Sequence, residues 1–313
     1  LTLHDALDAA AQQPCPPLSS PLRRFQSEPH KGICDTGRYR CPYFVWGEGL
    51  PLVLIPGLVH GAWAYAGVAA HLSRDFRCIG YDLPTGERDG AVLGRYRFSD
   101  LPGDLTALMD QLQIKKAAIL ASSFGSMIAL AAAARGRDRW LSLILSAGFA
   151  NCRLAPMEIL AARVVRHWPG SLPPLASAFR LVSADFKTFL DRQPFAEERW
   201  ITKELGRLPL RTLAQRVVWM NEISLAPLLT QIAIPVALVY GDRDSTRSRP
   251  GAAALREELM QVSEFILPNC GRDAVLTHPE LVARVVESRL LPACPHAGTD
   301  TFSAAPPALP AFR

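Results

Sequence analysis

The stretch Ala117-Ala118-Ile119-Leu120-Ala121-Ser122-Ser123-Phe124-Gly125, with the alanine-rich run that follows it to Ala134, decides the fold. Its first part is an unbroken apolar run of strand length, and its last part suits a helix. Only a short turn separates them. A serine on so tight a strand-to-helix turn projects its hydroxyl above the sheet, and the small residues Ala121 and Gly125 let the turn close without a side-chain clash. The uncharged stretch from Ala117 to Ala134 reaches the minimum length of a membrane span, but Ser122, Ser123, Gly125 and Ser126 interrupt it. A buried strand, turn and helix explain it better.

Similar short apolar runs stand on either side: Leu52 to Ile55, Cys78 to Tyr81, Leu141 to Leu145, Val236 to Tyr240 and Phe265 to Leu267. They are unbroken rather than alternating, as expected of parallel strands covered on both faces. Ala62 to Ser73, Leu101 to Leu112, Phe124 to Ala134 and His278 to Leu290 supply helical crossovers, so the pattern predicts a three-layer α/β sandwich with a mostly parallel sheet. A hairpin from about Gly37 to Trp46, leading into Leu52, would add an antiparallel edge.

The rhythm breaks between about Ala155 and Thr230, where helical patterns punctuated by prolines contain no strand. Residues 155–230 are therefore expected to form an inserted helical cap, with residues 38–154 and 231–290 as the core. The aromatics of this segment, among them Trp168, Phe189, Trp200 and Trp219, are no denser than elsewhere and are read as cap core rather than as a substrate cage. Residues 1–37 read as an N-terminal extension and residues 291–313 as a tail. The prolines at 14, 16, 17 and 21, and five more after Leu291, point to loosely ordered ends.

Composition excludes several function classes. Of the 313 residues 49% are hydrophobic, enough for one large core. The net charge of +5 is mild and the basic residues are spread along the chain, so nucleic acid is not expected as a partner. Seven cysteines, at 15, 34, 41, 78, 152, 270 and 294, include no CxxC pair and no histidine at ligand spacing. They fit neither a disulfide framework nor a zinc site, and reduced thiols are expected. Cys34 and Cys41 could still face each other across the hairpin. No basic segment followed by an apolar one opens the sequence, so a soluble, cytoplasmic protein with a small-molecule substrate or ligand, no metal and no organic cofactor is expected.

With Ser123 on its turn, the sequence resembles the α/β-hydrolase superfamily over about residues 38 to 290. Leu52-Val53-Leu54-Ile55-Pro56-Gly57-Leu58 is similar to the family's oxyanion-hole strand and loop, and Tyr81-Asp82-Leu83-Pro84 with Gly86 to its next strand and turn. Val239-Tyr240-Gly241-Asp242-Arg243-Asp244 is similar to the strand and turn that bear the acid. The resemblance implies Ser123 as nucleophile, Asp244 as orienting acid, and the Leu58 and Phe124 backbone N–H groups as the oxyanion hole. It implies an esterase-like serine hydrolase acting on a small apolar ester or similar acyl substrate. Epoxide hydrolase and dehalogenase chemistry need a carboxylate where this chain has Ser123.

The third member departs from the pattern. After the last strand the family has a Gly-His pair, whereas this chain reads Cys270-Gly271-Arg272-Asp273. Arg272 falls where the general base belongs, and a guanidinium with a pKa above ~12 cannot accept the serine proton. Pairing of Arg272 with Asp244 would satisfy a carboxylate otherwise buried alone. Among the histidines, His60 lies in the oxyanion loop and is the nearest substitute base by this reading; His278 opens the last helix. Two expectations follow: an impaired serine hydrolase, or a non-catalytic descendant that keeps the pocket as a ligand-binding or interaction module.

Overall fold

The computed structural model describes residues 19–86, 89–168 and 189–291. Helix α1 (Ser19–Ser27) leads into strands β1 (His30–Asp35) and β2 (Arg40–Trp46), an antiparallel hairpin. Strand β3 (Leu50–Ile55), helix α2 (Ala66–Leu72), strand β4 (Phe76–Tyr81), helix α3 (Leu101–Gln111), strand β5 (Ala117–Ser122), helix α4 (Phe124–Arg135) and strand β6 (Trp140–Ser146) follow. Next come helices α5 (Pro156–Val165), α6 (Phe195–Leu205), α7 (Leu210–Glu222) and α8 (Ala226–Leu229). The chain then returns to the sheet through β7 (Val236–Gly241), α9 (Pro250–Glu258) and β8 (Val262–Leu267), and ends in α10 (Ala274–Thr277) and α11 (Pro279–Leu290).

The strands form one sheet in the order β1-β2-β4-β3-β5-β6-β7-β8, parallel from β4 to β8. Residues of β5 and β7 are buried throughout, which is why their sequences are unbroken apolar runs. Leu105, Leu108, Met127, Leu130 and Leu255 from α3, α4 and α9 cover one face, and Val68, Leu72, Val282 and Val286 from α2 and α11 the other. The chain steps from β3 outward to β4 and then back across to β5. The crevice at the carboxyl ends of β3 and β5 is thus the topological switch point of the sheet, where open α/β sheets bind ligands.

Two expectations for the amino-terminal part need correction. The hairpin begins at His30, within the stretch read as an extension, and β2 pairs with β4 rather than leading the sheet directly into β3. The pairing is locked by size: Phe44 lies opposite Gly80, where an added Cβ would come within 2.2 Å of the Phe44 ring. The segment up to about residue 24 is ordered from Ser19 onward. Leu22 and Phe25, three apart on α1, are buried, and the Phe25 ring meets Phe44 edge-on at 5.0 Å. Pro21 falls in the first turn, where a helix tolerates it. The tail after residue 291 lies outside the described residues.

Between residues 155 and 230 the described residues are helical or irregular, and none is in a strand. Helices α5 and α7 share an apolar seam of Ile159, Ala162, Leu213, Val217 and Val218. Of the aromatics there, Phe189 and Trp219 are buried, Trp200 packs edge-on against Trp63 at 5.4 Å, and Trp168 is exposed. Phe179 and Phe186 lie outside the described residues. Cys34 and Cys41 are direct register partners in the β1–β2 hairpin; with Cys78, Cys152 and Cys270 they are free, buried thiols. No helix among the described residues is long and apolar enough to cross a membrane.

Candidate active site

Strand β5 ends at Ser122 and α4 begins at Phe124, which leaves Ser123 alone to reverse the chain. It does so at φ 50° and ψ −117°, a left-handed conformation that L-residues rarely adopt. The turn is held from both sides: the Ser123 N–H donates to the Ser146 carbonyl at 2.8 Å, and the Ser126 N–H donates to the Ser123 carbonyl at 2.9 Å. Gly125 allows the close approach beneath, since a Cβ there would lie 2.6 Å from the Ile55 and Pro56 carbonyl oxygens. Ser123 is half-buried, and its hydroxyl makes no hydrogen bond to any described residue.

The loop after β3 passes directly beside this serine. A Cβ on Gly57 would sit 3.6 Å from the Ser123 Cβ. Among the described residues, neither the Leu58 N–H nor the Phe124 N–H donates to a backbone carbonyl. For Phe124 this is inherent, because the first N–H of a helix has no partner within it. The Phe124 ring is fully buried against Phe98, which fixes the start of α4.

A residue of α7 fixes the same loop from above. Arg216, buried on the inner face of α7, donates from Nη1 to the Leu58 carbonyl at 2.8 Å and from Nη2 to the Leu83 and Pro84 carbonyls at 3.4 Å. Burial pulls its guanidinium down to about 10, against the opposing pull of Asp82, so it stays cationic at neutral pH. Asp82 accepts the Ala62 N–H at 2.7 Å and thereby ties the end of β4 to the far side of the loop. Arg211 extends the same docking by donating to the Gly86 carbonyl at 2.7 Å. Sequence reasoning missed Arg216. Its signal is a cation on an apolar helical stripe, between Leu213 and Met220.

Asp244 lies past the end of β7, two strands along from β5 and so about 10 Å to the side of Ser123. Its carboxylate is buried, and Oδ1 accepts the Thr246 N–H at 2.8 Å. Arg272, on the loop after β8, brings Nε to 3.9 Å from the same Oδ1. Among the described residues, neither Arg272 Nε nor Asp244 Oδ2 has a hydrogen-bond partner. Burial pushes the Asp244 carboxyl above its ordinary range, while the Thr246 bonds and then the Arg272 charge pull it back.

Asp242 sets the distance between these two loops. Its carboxylate oxygens accept the Asn269 and Cys270 N–H groups, both at 3.0 Å, and Arg243 N–H donates to the Cys270 carbonyl at 3.0 Å. Gly241 permits the contact, because a Cβ there would lie 2.0 Å from the Cys270 oxygen. The sequence text Gly241-Asp242 is thus a loop clamp.

The structure brings the Leu58 loop to Ser123 and Arg272 to Asp244, but no imidazole to the Ser123 hydroxyl. His60 is buried edge-on to Trp63, with ring centres 5.8 Å apart; burial lowers its pKa and the Asp273 charge opposes the shift. His278 Nδ1 lies 2.9 Å from Thr277 Oγ1. Among the described residues, no group of three or more His, Cys, Asp or Glu side chains is placed to hold a metal ion.

Comparison with known proteins bears on the fold. The profile of the alpha/beta hydrolase fold matches residues 51–216. A pimeloyl-(acyl-carrier protein) methyl ester esterase of Aeromonas salmonicida (strain A449) is 24% identical over 264 residues, covering 77% of this chain and 95% of that protein. The enol-lactonase of Burkholderia xenovorans LB400 superposes with a TM-score of 0.72 at 20% identity, over 83% of this chain and 100% of that one. A thermophilic esterase of Thermogutta terrifontis gives 0.67 at 20% identity, over 84% and 98%. At such identities the two structures speak for the fold alone. With its family profile spanning more than half the sequence, and Ser123 on the strand-to-helix turn at the switch point of the sheet, this chain belongs to the α/β hydrolase fold family.

Proposed function

We propose that the protein is a serine hydrolase of the ester-cleaving kind, built on Ser123 and slowed at the proton-transfer step by Arg272. Ser123 Oγ would attack the acyl carbonyl of a small apolar ester, and the Leu58 and Phe124 N–H groups would hold the resulting oxyanion. Collapse would expel the alcohol and leave an acyl-enzyme, which water then hydrolyses. The observation that carries this reading is the strained Ser123 turn beside two N–H groups that donate to no backbone carbonyl of the described residues. The methyl ester esterases among the relatives support ester cleavage as the reaction type.

Each half-reaction needs an acceptor for the proton of the attacking hydroxyl. A guanidinium has no lone pair to offer, so that proton must pass to solvent. Loss of the base from a serine triad costs up to ~10⁶ in kcat, leaving ~10³ to 10⁴ over water from the oxyanion hole and binding. Phosphonylation by a fluorophosphonate tests the reading. Slow modification, mapped to Ser123 by mass spectrometry and abolished by Ser123→Ala, is expected; modification elsewhere, or none, would contradict it.

A second reading is favoured by the Arg272–Asp244 pair, in which the arginine neutralises a carboxylate otherwise buried alone. The protein would then be a non-catalytic member that keeps the pocket for a ligand or partner. Absence of labelling both in the natural chain and in Arg272→His would favour this reading over the first.

A further inference from the structure

A cavity of about 580 Å³ has a lining that does not include Ser123. It opens between Arg166 and His167 just past α5, helix α7 with the segment that follows it, residues 93–99, and the carboxyl-terminal half of α4. Helix α4 starts next to Ser123, and Arg135, at its far end about 18 Å along the helix, lines the cavity, while Phe98 of the lining packs edge-on against Phe124 at 6.1 Å. The volume falls within the range of small-ligand sites.

Its chemistry is two-sided. Phe98, Trp219 and Leu225, all buried, supply an apolar wall, whereas the charged residues of the lining are three arginines, the exposed Arg97 and Arg135 and the half-buried Arg166. No aspartate or glutamate is among the lining residues. Among the described residues, the Arg135 side chain donates to the Ser99 carbonyl at 2.9 Å, and that of Arg166 to the His167 ring at 3.0 Å. Among the described residues, none of the three guanidinium groups forms an ion pair with a carboxylate, although the Arg97 backbone N–H donates to the Asp100 carboxylate at 2.7 Å. Arginines elsewhere on this molecule are often paired: Arg24 with Glu28, Arg139 with Asp110, Arg256 with Glu264 and, one turn before Arg166 on α5, Arg163 with Glu222. Three cations around one apolar cavity repel each other, and an anion would relieve that repulsion.

We propose that this cavity binds an anionic amphiphile, with its apolar chain against Trp219, Phe98 and Leu225 and its carboxylate or phosphate head among Arg97, Arg135 and Arg166. Guanidinium forks match both heads through paired, charge-assisted hydrogen bonds. The proposal is independent of any chemistry at Ser123.

Titration calorimetry on the full chain tests it with octyl phosphate, octanoate, the neutral octyl glucoside and inorganic phosphate as probes. One of the two anionic octyl probes should bind with one-to-one stoichiometry and shift the Trp219 indole resonance. Octyl glucoside and inorganic phosphate should each bind at least about tenfold more weakly, because each lacks one half of the recognition. Preference for octyl phosphate would point to a lipid phosphate, and preference for octanoate to a fatty acid. Arg135→Glu/Arg166→Glu should weaken binding by about tenfold or more; Arg97→Glu, at an exposed position, provides the same test should the double variant fail to fold. Equal affinity for octyl glucoside, or unchanged affinity in a folded charge-reversed variant, would overturn the proposal. So would binding lost after phosphonylation of Ser123, which would put the probe in the catalytic pocket.

Discussion

Arg272 Nε lies 3.9 Å from Asp244 Oδ1, a partly exposed cation facing a carboxylate whose side chain is fully buried. In a serine triad the acid holds an imidazole in the orientation and tautomer needed to take up the serine proton. Here the buried acid meets a group that is already fully protonated. The loop carrying Arg272 is held by the Asp242 clamp and not by this ion pair, so residue 272 can be exchanged while the backbone around it stays in place.

The backbone conformation of Ser123 carries a cost that glycine would not incur. Ser123→Gly should therefore raise stability by about 1 kcal/mol in urea unfolding, the relief of strain exceeding the added chain entropy. Ser123→Ala should show no such gain, because it keeps the Cβ at φ 50°. Equal stabilisation by both variants would show that the hydroxyl, and not the backbone, is the source of strain.

Arg216 joins α7 to the sheet's loops through three carbonyls, one of them on Leu58. Arg216→Met should cost about 2 to 3 kcal/mol, since it leaves buried carbonyls and Asp82 without their cation. It should also slow phosphonylation of Ser123, because the Leu58 loop loses its anchor. Arg216→Lys should recover part of both effects, as a single ammonium cannot span three carbonyls. Lowered melting with unchanged labelling would confine Arg216 to stability.

Burial disfavours the imidazolium form of His60 in the folded protein, whereas the unfolded chain titrates near its ordinary value of 6.5. Below that pH the unfolded state takes up a proton that the folded state resists, so stability falls as the solution is acidified. His60→Gln should lose less melting temperature than the natural chain between about pH 7.5 and about pH 5.5. Parallel losses in the two proteins would contradict the assignment.

The strands with unbroken apolar runs were legible because double-sided burial leaves no polar residue in them; β5 and β7 are buried along their whole length. The hairpin start was not. Strand β1 buries little beyond Cys34, so its sequence carries no hydrophobic signal, and β2 is placed beside β4 by the fit of Phe44 over Gly80, a long-range contact. Prolines masked α1, whose two core residues Leu22 and Phe25 are few enough to read as chance. At the site, the text around Ser123, Gly57 and Gly241 was informative because close backbone approaches demand small residues at fixed places. Arg216 was not legible, since its partners are backbone carbonyls distant in the chain, which no local pattern records.

Hydrolysis of a short-chain aryl ester by Arg272→His, compared with the natural chain and with Arg272→His/Ser123→Ala, tests the central claim most directly. Restoring an imidazole beside Asp244 should raise kcat by several orders of magnitude, up to ~10⁶, with a rate that rises through the histidine titration range and vanishes in the double variant. A rate unchanged from the natural protein, with the fold intact, would contradict the claim that a missing proton acceptor is what limits this site.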